Sequence, residues 1–580
     1  MRASLSQLRD AAWKHVAFWI AILTMASLAF GQSSKISPDL QALPSSSAAS
    51  VIVQYYNPPN ASELGVANSV AAATGKGLEF VKAYAWTMSP SNVQNLVSQD
   101  PNIKYVSLDR PLKGAMNFAV PAVNADVAHN LGYDGTGVGV AVIDSGVNPV
   151  ADLSVPVLKT SRIVYGQNFD ASASTTSDLY GHGTHVSSII AGNGANSTCG
   201  NCDVTFRGIA PNANIINLRV LDANGSATDS TAISAIQQAI ALKSKYNIRI
   251  MNLSLGRGIF ESYTLDPLCQ AVEQAWKAGI VVVVAAGNYG RDNSNSNYGY
   301  GTITAPGNDP YVITVGAMKT MGTATRTDDL ITTYSSKGPT MLDQIIKPDI
   351  VAPGNLVISD LASTNATLYV NYPQDALPLS YYTTGSNQNA SSNYYILSGT
   401  SMATPMVSGA AALLLQQNPL LTPDQVKARL MKTAYKTFPS SSSYTDPSTG
   451  ITYTDYYDIF TIGAGYLDVW AALNNVDLAP STAGSALSPT AVFSSSTNQV
   501  YMSSAASVIW GKSSTWATSV VWGTSVIWGT TTSGQSVLWG SAPACWDNTT
   551  SVGFSVIWDQ HALWGHSSTT ADSVLTGTER

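Results

Sequence analysis

Four polar side chains lie in short, glycine-flanked motifs, and their types could act together on a carbonyl carbon. Asp144 closes the apolar run VGVAVI and is followed by Ser145-Gly146. His182 lies in Gly181-His182-Gly183-Thr184-His185-Val186, and Asn288 ends IVVVVAAGN. Ser401 lies in Gly399-Thr400-Ser401-Met402-Ala403-Thr404-Pro405, directly before the apolar stretch MVSGAAALLL. A hydroxyl activated by an imidazole, an imidazole oriented by a carboxylate and an amide aimed at a developing oxyanion are the parts of nucleophilic acyl transfer. Each motif also has a plainer reading. A turn-forming Asp before Gly is common, a lone His is more often structural, and a Ser before an apolar helix is usually a cap. His185 takes the structural reading, whereas the four others together, in the order Asp, His, Asn, Ser, favour chemistry.

These residues need a scaffold, and the chain supplies one between about 116 and 475. The runs VGVAVI (138–143), NIINLRVL (214–221), IRIMNLSL (248–255) and IVVVVAA (280–286) are apolar without alternation, and helical stretches such as 230–245 separate them. Such runs indicate parallel strands covered on both faces, hence a doubly wound α/β domain with its site at the strand C-terminal ends. Before it, residues 50–110 read as a small α+β module: VIVQYY (51–56), an Ala-rich stretch (61–74), a strand LEFVKAYAW (78–86), a helix from Ser91 and KYVSL (104–108).

The motifs VAVIDSG, GHGTHV, MNLSLG (251–256), VVAAGN, KPDIVAPG (347–354) and GTSMATPMVSG resemble those of the subtilisin-like serine proteases, the subtilases. The resemblance implies a catalytic Asp144, His182 and Ser401 with Asn288 as oxyanion donor. It also implies that Ser254, Leu255 and Gly256 pair with the substrate backbone, and that Ala285, Ala286 and Gly287 form the other wall of the pocket. Small uncharged walls imply a preference for apolar or aromatic residues before the cut. The chain order argues against a lipase-type esterase, whose elbow is G-x-S-x-G, because Ala403 stands two residues after Ser401. The module before the catalytic domain falls where subtilases keep a ferredoxin-like propeptide, implying an intramolecular inhibitor removed by self-cleavage near 112–118. No cofactor is required for such chemistry; structural calcium is a family-level expectation, although no acidic cluster in the sequence resembles a complete ligand set. The Tyr/Asn/Ser-rich stretch at about 355–395 is longer than in compact family members and reads as an insert on the active-site side.

The ends carry other signals. Arg2, Arg9 and Lys14 precede an uncharged stretch from 16 to 30 and the small residues Ala29 and Gly31. That is the pattern of a secretory signal cut after Gly31, and no other stretch is long enough to span a membrane. The expected organisation is therefore 1–31 signal, 32–115 propeptide, 116–476 peptidase domain and 477–580 extension. Charged residues make up only 11% of the chain against roughly 25% in an average soluble protein, and the net charge is -7. There is no basic footprint for nucleic acid. Cys199 and Cys202 read as a short-range disulfide in an exported protein, and Cys269 as a buried small hydrophobe. In the extension, Trp510, Trp516, Trp522 and Trp528 recur every six residues, and Trp539, Trp546, Trp558 and Trp564 follow less regularly. An even step keeps the rings on one face of a strand. Packing on the protein itself is the plain expectation, and a platform for polysaccharide, a cell surface or a partner is the sharper one. An adhesive protein working through this tail is the alternative from another functional class.

Overall fold

The computed structural model describes residues 35–108 and 116–494 apart from short gaps at 42, 73–74, 79–81, 156–157, 159, 294–296 and 447–448. It also describes 499–503, 529–530, 536–537, 569–571 and 579. The leader, the expected self-cleavage region up to 115 and all eight tail tryptophans lie outside the described residues. The chain divides into two compact units at Leu112/Lys113.

In the first unit, β1 (Ala49–Tyr55), β2 (Lys76–Leu78), β3 (Ala83–Met88) and β4 (Ile103–Leu108) form an antiparallel sheet in the order β2-β3-β1-β4. Alternate residues Ala49, Val51, Val53 and Tyr55 of β1 are buried, the period-2 signature of a sheet covered on one face. Two helices accompany the sheet. Ala61–Val70 begins with an Asn60/Glu63 capping box, and Pro90–Gln99 begins with a Ser89 cap and proline at the first position. The single strand expected at 78–86 is instead a reversal. Leu78 lies opposite Ala83, and Lys82 stands at φ +49°, so the charged centre of that run serves the turn rather than the ladder.

The second unit is built on an eight-stranded sheet. Its strands are β5 (Gly139–Asp144), β6 (Ile163–Asn168), β7 (Asn214–Arg219), β9 (Ile248–Leu253), β11 (Val281–Ala285), β12 (Ile313–Lys319), β13 (Leu330–Ile331) and β14 (Ile350–Pro353). The order is β13-β12-β11-β9-β5-β7-β6, with β14 also on β12, and every pairing except β12 with β13 is parallel. All four runs read from the sequence are strands of this sheet; β6, β12, β13 and β14 join them. Two short strands, β8 (Ser226–Ala227) and β10 (Leu255–Gly256), stand outside it. The chain leaves β5 for one side of the sheet and returns to the other side through β9. This is a topological switch point, and Asp144 ends its first strand.

The helix Thr400–Gln417 is buried from Thr400 to Leu415, as an all-round apolar helix must be. It packs against β9, β11, β12 and the helix His182–Ala191. Cys199 and Cys202 are bonded, and Cys269 is buried with its thiol raised well above the usual range by desolvation.

Candidate active site

At the C-terminal end of β5, the Asp144 carbonyl accepts from the amides of Val220 (2.8 Å) and Leu221 (3.2 Å), which fixes the backbone where the side chain leaves the sheet. Asp144 Oδ1 accepts from the Ser145 amide and lies 2.7 Å from His182 Nδ1. The pair is almost completely buried, with His182 at 0% and Asp144 at 1% exposure. A carboxylate on Nδ1 selects the tautomer that leaves the lone pair on Nε2, the form a base requires. The approach depends on glycine: a Cβ on Gly183 would lie 2.2 Å from the Gly146 carbonyl and 3.1 Å from Asp144 Cβ.

The start of the histidine helix is held by Asp178, which the motifs did not reveal. Its carboxylate accepts from the Gly181 amide (2.7 Å), the Thr184 amide (2.8 Å) and Ser145 Oγ (2.8 Å). It is fully buried, and desolvation pushes its pKa up. The same Ser145 hydroxyl accepts from the Gly183 amide at 2.9 Å, so one small network ties the Asp144 and His182 motifs together. Only the position of Asp178, three residues before Gly181, could have hinted at this.

Ser401 occupies the first turn of the helix Thr400–Gln417. Its hydroxyl donates to the Ser254 carbonyl at 3.1 Å, while Ser254 Oγ donates back to the Ser401 carbonyl at 2.9 Å. The second bond has a cause in the sequence. The amide that would normally reach the Ser401 carbonyl belongs to residue 405, which is proline and has no N–H. The freed acceptor joins the helix to the segment that leads into β10. Asn252 Nδ2 completes the link by donating to Ser254 Oγ at 3.0 Å.

The Asn288 amide oxygen accepts from the Thr400 amide (2.9 Å) and Thr400 Oγ1 (3.1 Å), so its oxygen is held and its orientation fixed. Its nitrogen is turned toward Gly399, where a Cβ would come within 3.1 Å and the backbone stands at φ +149°. Thr400, to which the sequence assigned no role, is thus the joint between the asparagine and serine motifs. Its hydroxyl also accepts from the Gly287 amide at 3.2 Å.

Ala285, Ala286 and Gly287 continue β11 and are buried against Thr304, whose amide donates to the Ala286 carbonyl, and Ser336, whose amide donates to the Gly287 carbonyl. Leu255 and Gly256 form β10, and the next residue, Arg257, pairs with both Asp229 and Asp266 at the starts of two helices. His185 is structural: Nε2 lies 3.2 Å from the Val357 carbonyl and 3.1 Å from the Tyr395 carbonyl, and burial lowers its pKa to about 3, with His182 adding to the effect. The insert folds as a three-stranded antiparallel sheet of Val357–Asp360, Ala376–Pro378 and Ala390–Leu397. Its Thr367 and Leu368 amides donate to the carbonyls of Leu179 and Tyr180, just before the histidine motif. Among the described residues no group of three His, Cys, Asp or Glu side chains could hold a metal ion. No described helix is long and apolar enough to cross a membrane.

The parallel sheet, with a serine helix and a histidine helix at its strand ends, defines a class: serine-type endopeptidases of α/β architecture. Within that class the chain belongs to the subtilase family, whose model matches residues 135–449, more than half of its length. It is 39% identical to serine protease AprX of Bacillus subtilis (strain 168) over 354 residues, covering 59% of this chain and 72% of that protein. It is 31% identical to subtilisin E of the same organism over 424 residues, covering 72% of this chain and 93% of that protein. The crystal structure of a cold adapted subtilisin-like serine proteinase is 30% identical and covers 53% of this chain and 85% of its own, with a TM-score of 0.37. The protein acts on polypeptides and needs no cofactor for the bond-breaking step.

Proposed function

We propose that the protein is a secreted endopeptidase made as a precursor, in which Ser401 is the nucleophile, His182 the base, Asp144 its orienting group and Asn288 the oxyanion donor. The observation that carries this reading is the buried 2.7 Å contact between Asp144 Oδ1 and His182 Nδ1. The Ser401 hydroxyl leaves the Ser254 carbonyl and gives its proton to His182 Nε2 as Oγ bonds to the scissile carbonyl carbon. Asp144 stabilises the imidazolium. The oxyanion takes hydrogen bonds from Asn288 Nδ2 and the Ser401 amide at the positive helix end. Collapse breaks the C–N bond, and His182 returns the proton to the leaving amine. Water then attacks the acyl-enzyme with His182 again as base, releasing the acid and restoring the Ser401 hydroxyl.

Substrates enter as an added strand on Ser254, Leu255 and Gly256. The small, uncharged Ala285, Ala286 and Gly287 favour apolar or aromatic residues before the cut. Residues 32–115 act as an inhibitor that self-cleavage removes, and the leader 1–31 directs export. The separate folding unit that ends at Leu112 supports this division. A direct test is labelling with a fluorophosphonate. Peptide mapping should find the adduct on Ser401 alone, with no adduct on the His182→Ala chain. An adduct on another serine, or equal labelling without His182, contradicts the assignment.

A further inference from the structure

The strand that a peptide substrate would supply is already present, and it comes from the chain itself. Thr569–Ala571 lies between β10 and β8 in a three-stranded antiparallel sheet. On one edge Ala571 is opposite Leu255 and Thr570 opposite Gly256; on the other Thr569 is opposite Ala227 and Thr570 opposite Ser226. The direction matters as much as the position. Running from 569 to 571, the segment passes Gly256 and then Leu255, toward Ser254, whose carbonyl holds the Ser401 hydroxyl. It therefore approaches the nucleophile with the polarity that residues ahead of a scissile bond must have.

A second contact holds the same end of the chain. The Glu579 carboxylate is fully buried, with Oε1 2.9 Å from Arg291, Oε2 3.0 Å from Lys319 and the Thr333 amide donating to Oε1 at 2.8 Å. The Thr333 hydroxyl donates to the same oxygen, and Asn355 Nδ2 donates to the Glu579 carbonyl at 2.8 Å. Two of these partners lie near the site's motifs in sequence. Arg291 follows Asn288 by three residues, and Asn355 adjoins Gly354, whose carbonyl accepts from the Gly399 amide. Asp446, 3.3 Å from Arg291, is the other carboxylate paired with this guanidinium. The Lys319 side chain is only 8% exposed, so losing Glu579 would leave its buried ammonium without that carboxylate, which is strongly unfavourable. The pocket is built for a carboxylate.

We propose that two described parts of the chain's end act as a tethered, substrate-like ligand of the catalytic domain, with Thr569–Ala571 filling the substrate strand and Glu579 seated in a carboxylate pocket of Arg291, Lys319 and Thr333. The ligand class of that pocket is an acidic side chain on an extended peptide. This rests on the reading of β10 as the substrate strand.

The test uses the full chain with and without Glu579→Gln. On the Ser401→Ala background, hydrogen exchange of the 569–571 amides is expected to be at least 100-fold slower than in a synthetic peptide of residues 566–580, and Glu579→Gln should speed it at least 10-fold. On the active background, Glu579→Gln should lower KM for a short neutral peptide about 5-fold and leave kcat within 2-fold. Free-peptide exchange rates in the unaltered chain, or equal KM values, overturn the proposal. Protection that depends on Glu579 with no hydrolysis by either active chain supports the docking and counts against Ser401 as nucleophile.

Discussion

At the residue scale, Asn288 is oriented by its oxygen, which turns its nitrogen toward Gly399 and the start of the serine helix. Two donors from Thr400 hold the oxygen, and Gly399 leaves the space into which the nitrogen points. Asn288→Leu should lower kcat by about 10²–10³ with KM little changed, a magnitude taken over from subtilisin, a relative of this chain. Steady-state kinetics on a peptide anilide check it, and a change confined to KM would contradict the role. Asp144, His182, Asn288 and Ser401 were legible because each sits in a short motif whose glycines announce close approach. Asp178 and Thr400 were not, because their work is to accept or pass on hydrogen bonds between motifs distant in sequence, and nothing local distinguishes them from a loop aspartate and a spacer.

At the scale of elements, the site depends on how the first turns of two helices meet the strand ends. Pro405 leaves the Ser401 carbonyl open for Ser254, and His185 anchors the histidine helix to carbonyls of the insert sheet at Val357 and Tyr395. His185 is held neutral by burial and by nearby His182, which outweigh the two carbonyls that favour its charged form. Its folded pKa of about 3 lies below the unfolded value near 6.5, so between these values the unfolded chain binds the extra proton. The stabilisation is complete above pH 6.5 and is lost as pH falls toward 3, on the order of 5 kcal/mol in all. On the Ser401→Ala background, denaturant unfolding from pH 7 to 4 should show a clearly shallower pH slope for His185→Gln. Parallel slopes would contradict it. The unbroken apolar runs made β5, β7, β9 and β11 readable. The reversal at Lys82 was not, since LEFVKAYAW has strand-like composition throughout and only its pairing shows where it turns. The insert was legible as an interruption of the motif order, but its docking onto Leu179 and Tyr180 is tertiary and carries no local signature.

At the scale of the whole molecule, two segments of the chain are proposed to act on the catalytic domain. One is the separate unit that ends at Leu112, proposed as an inhibitor that is cut away; the other is the proposed ligand made of Thr569–Ala571 beside Leu255 and Gly256 and of Glu579 beside Arg291 and Lys319. In the sequence the tail is marked by its tryptophan repeat. The contact that matters to the site lies beyond it, in a Thr-Thr-Ala stretch with no distinguishing composition, because an added strand is recognised through its backbone. If Ser401 performs the chemistry, the precursor must process itself. Intact mass of the full chain expressed beside Ser401→Ala, with casein hydrolysis followed in parallel, tests this most directly. The account predicts that the unaltered chain loses its N-terminal residues up to about 112–118 and degrades casein, while Ser401→Ala stays whole and inactive. Identical processing and hydrolysis by the two chains would contradict it.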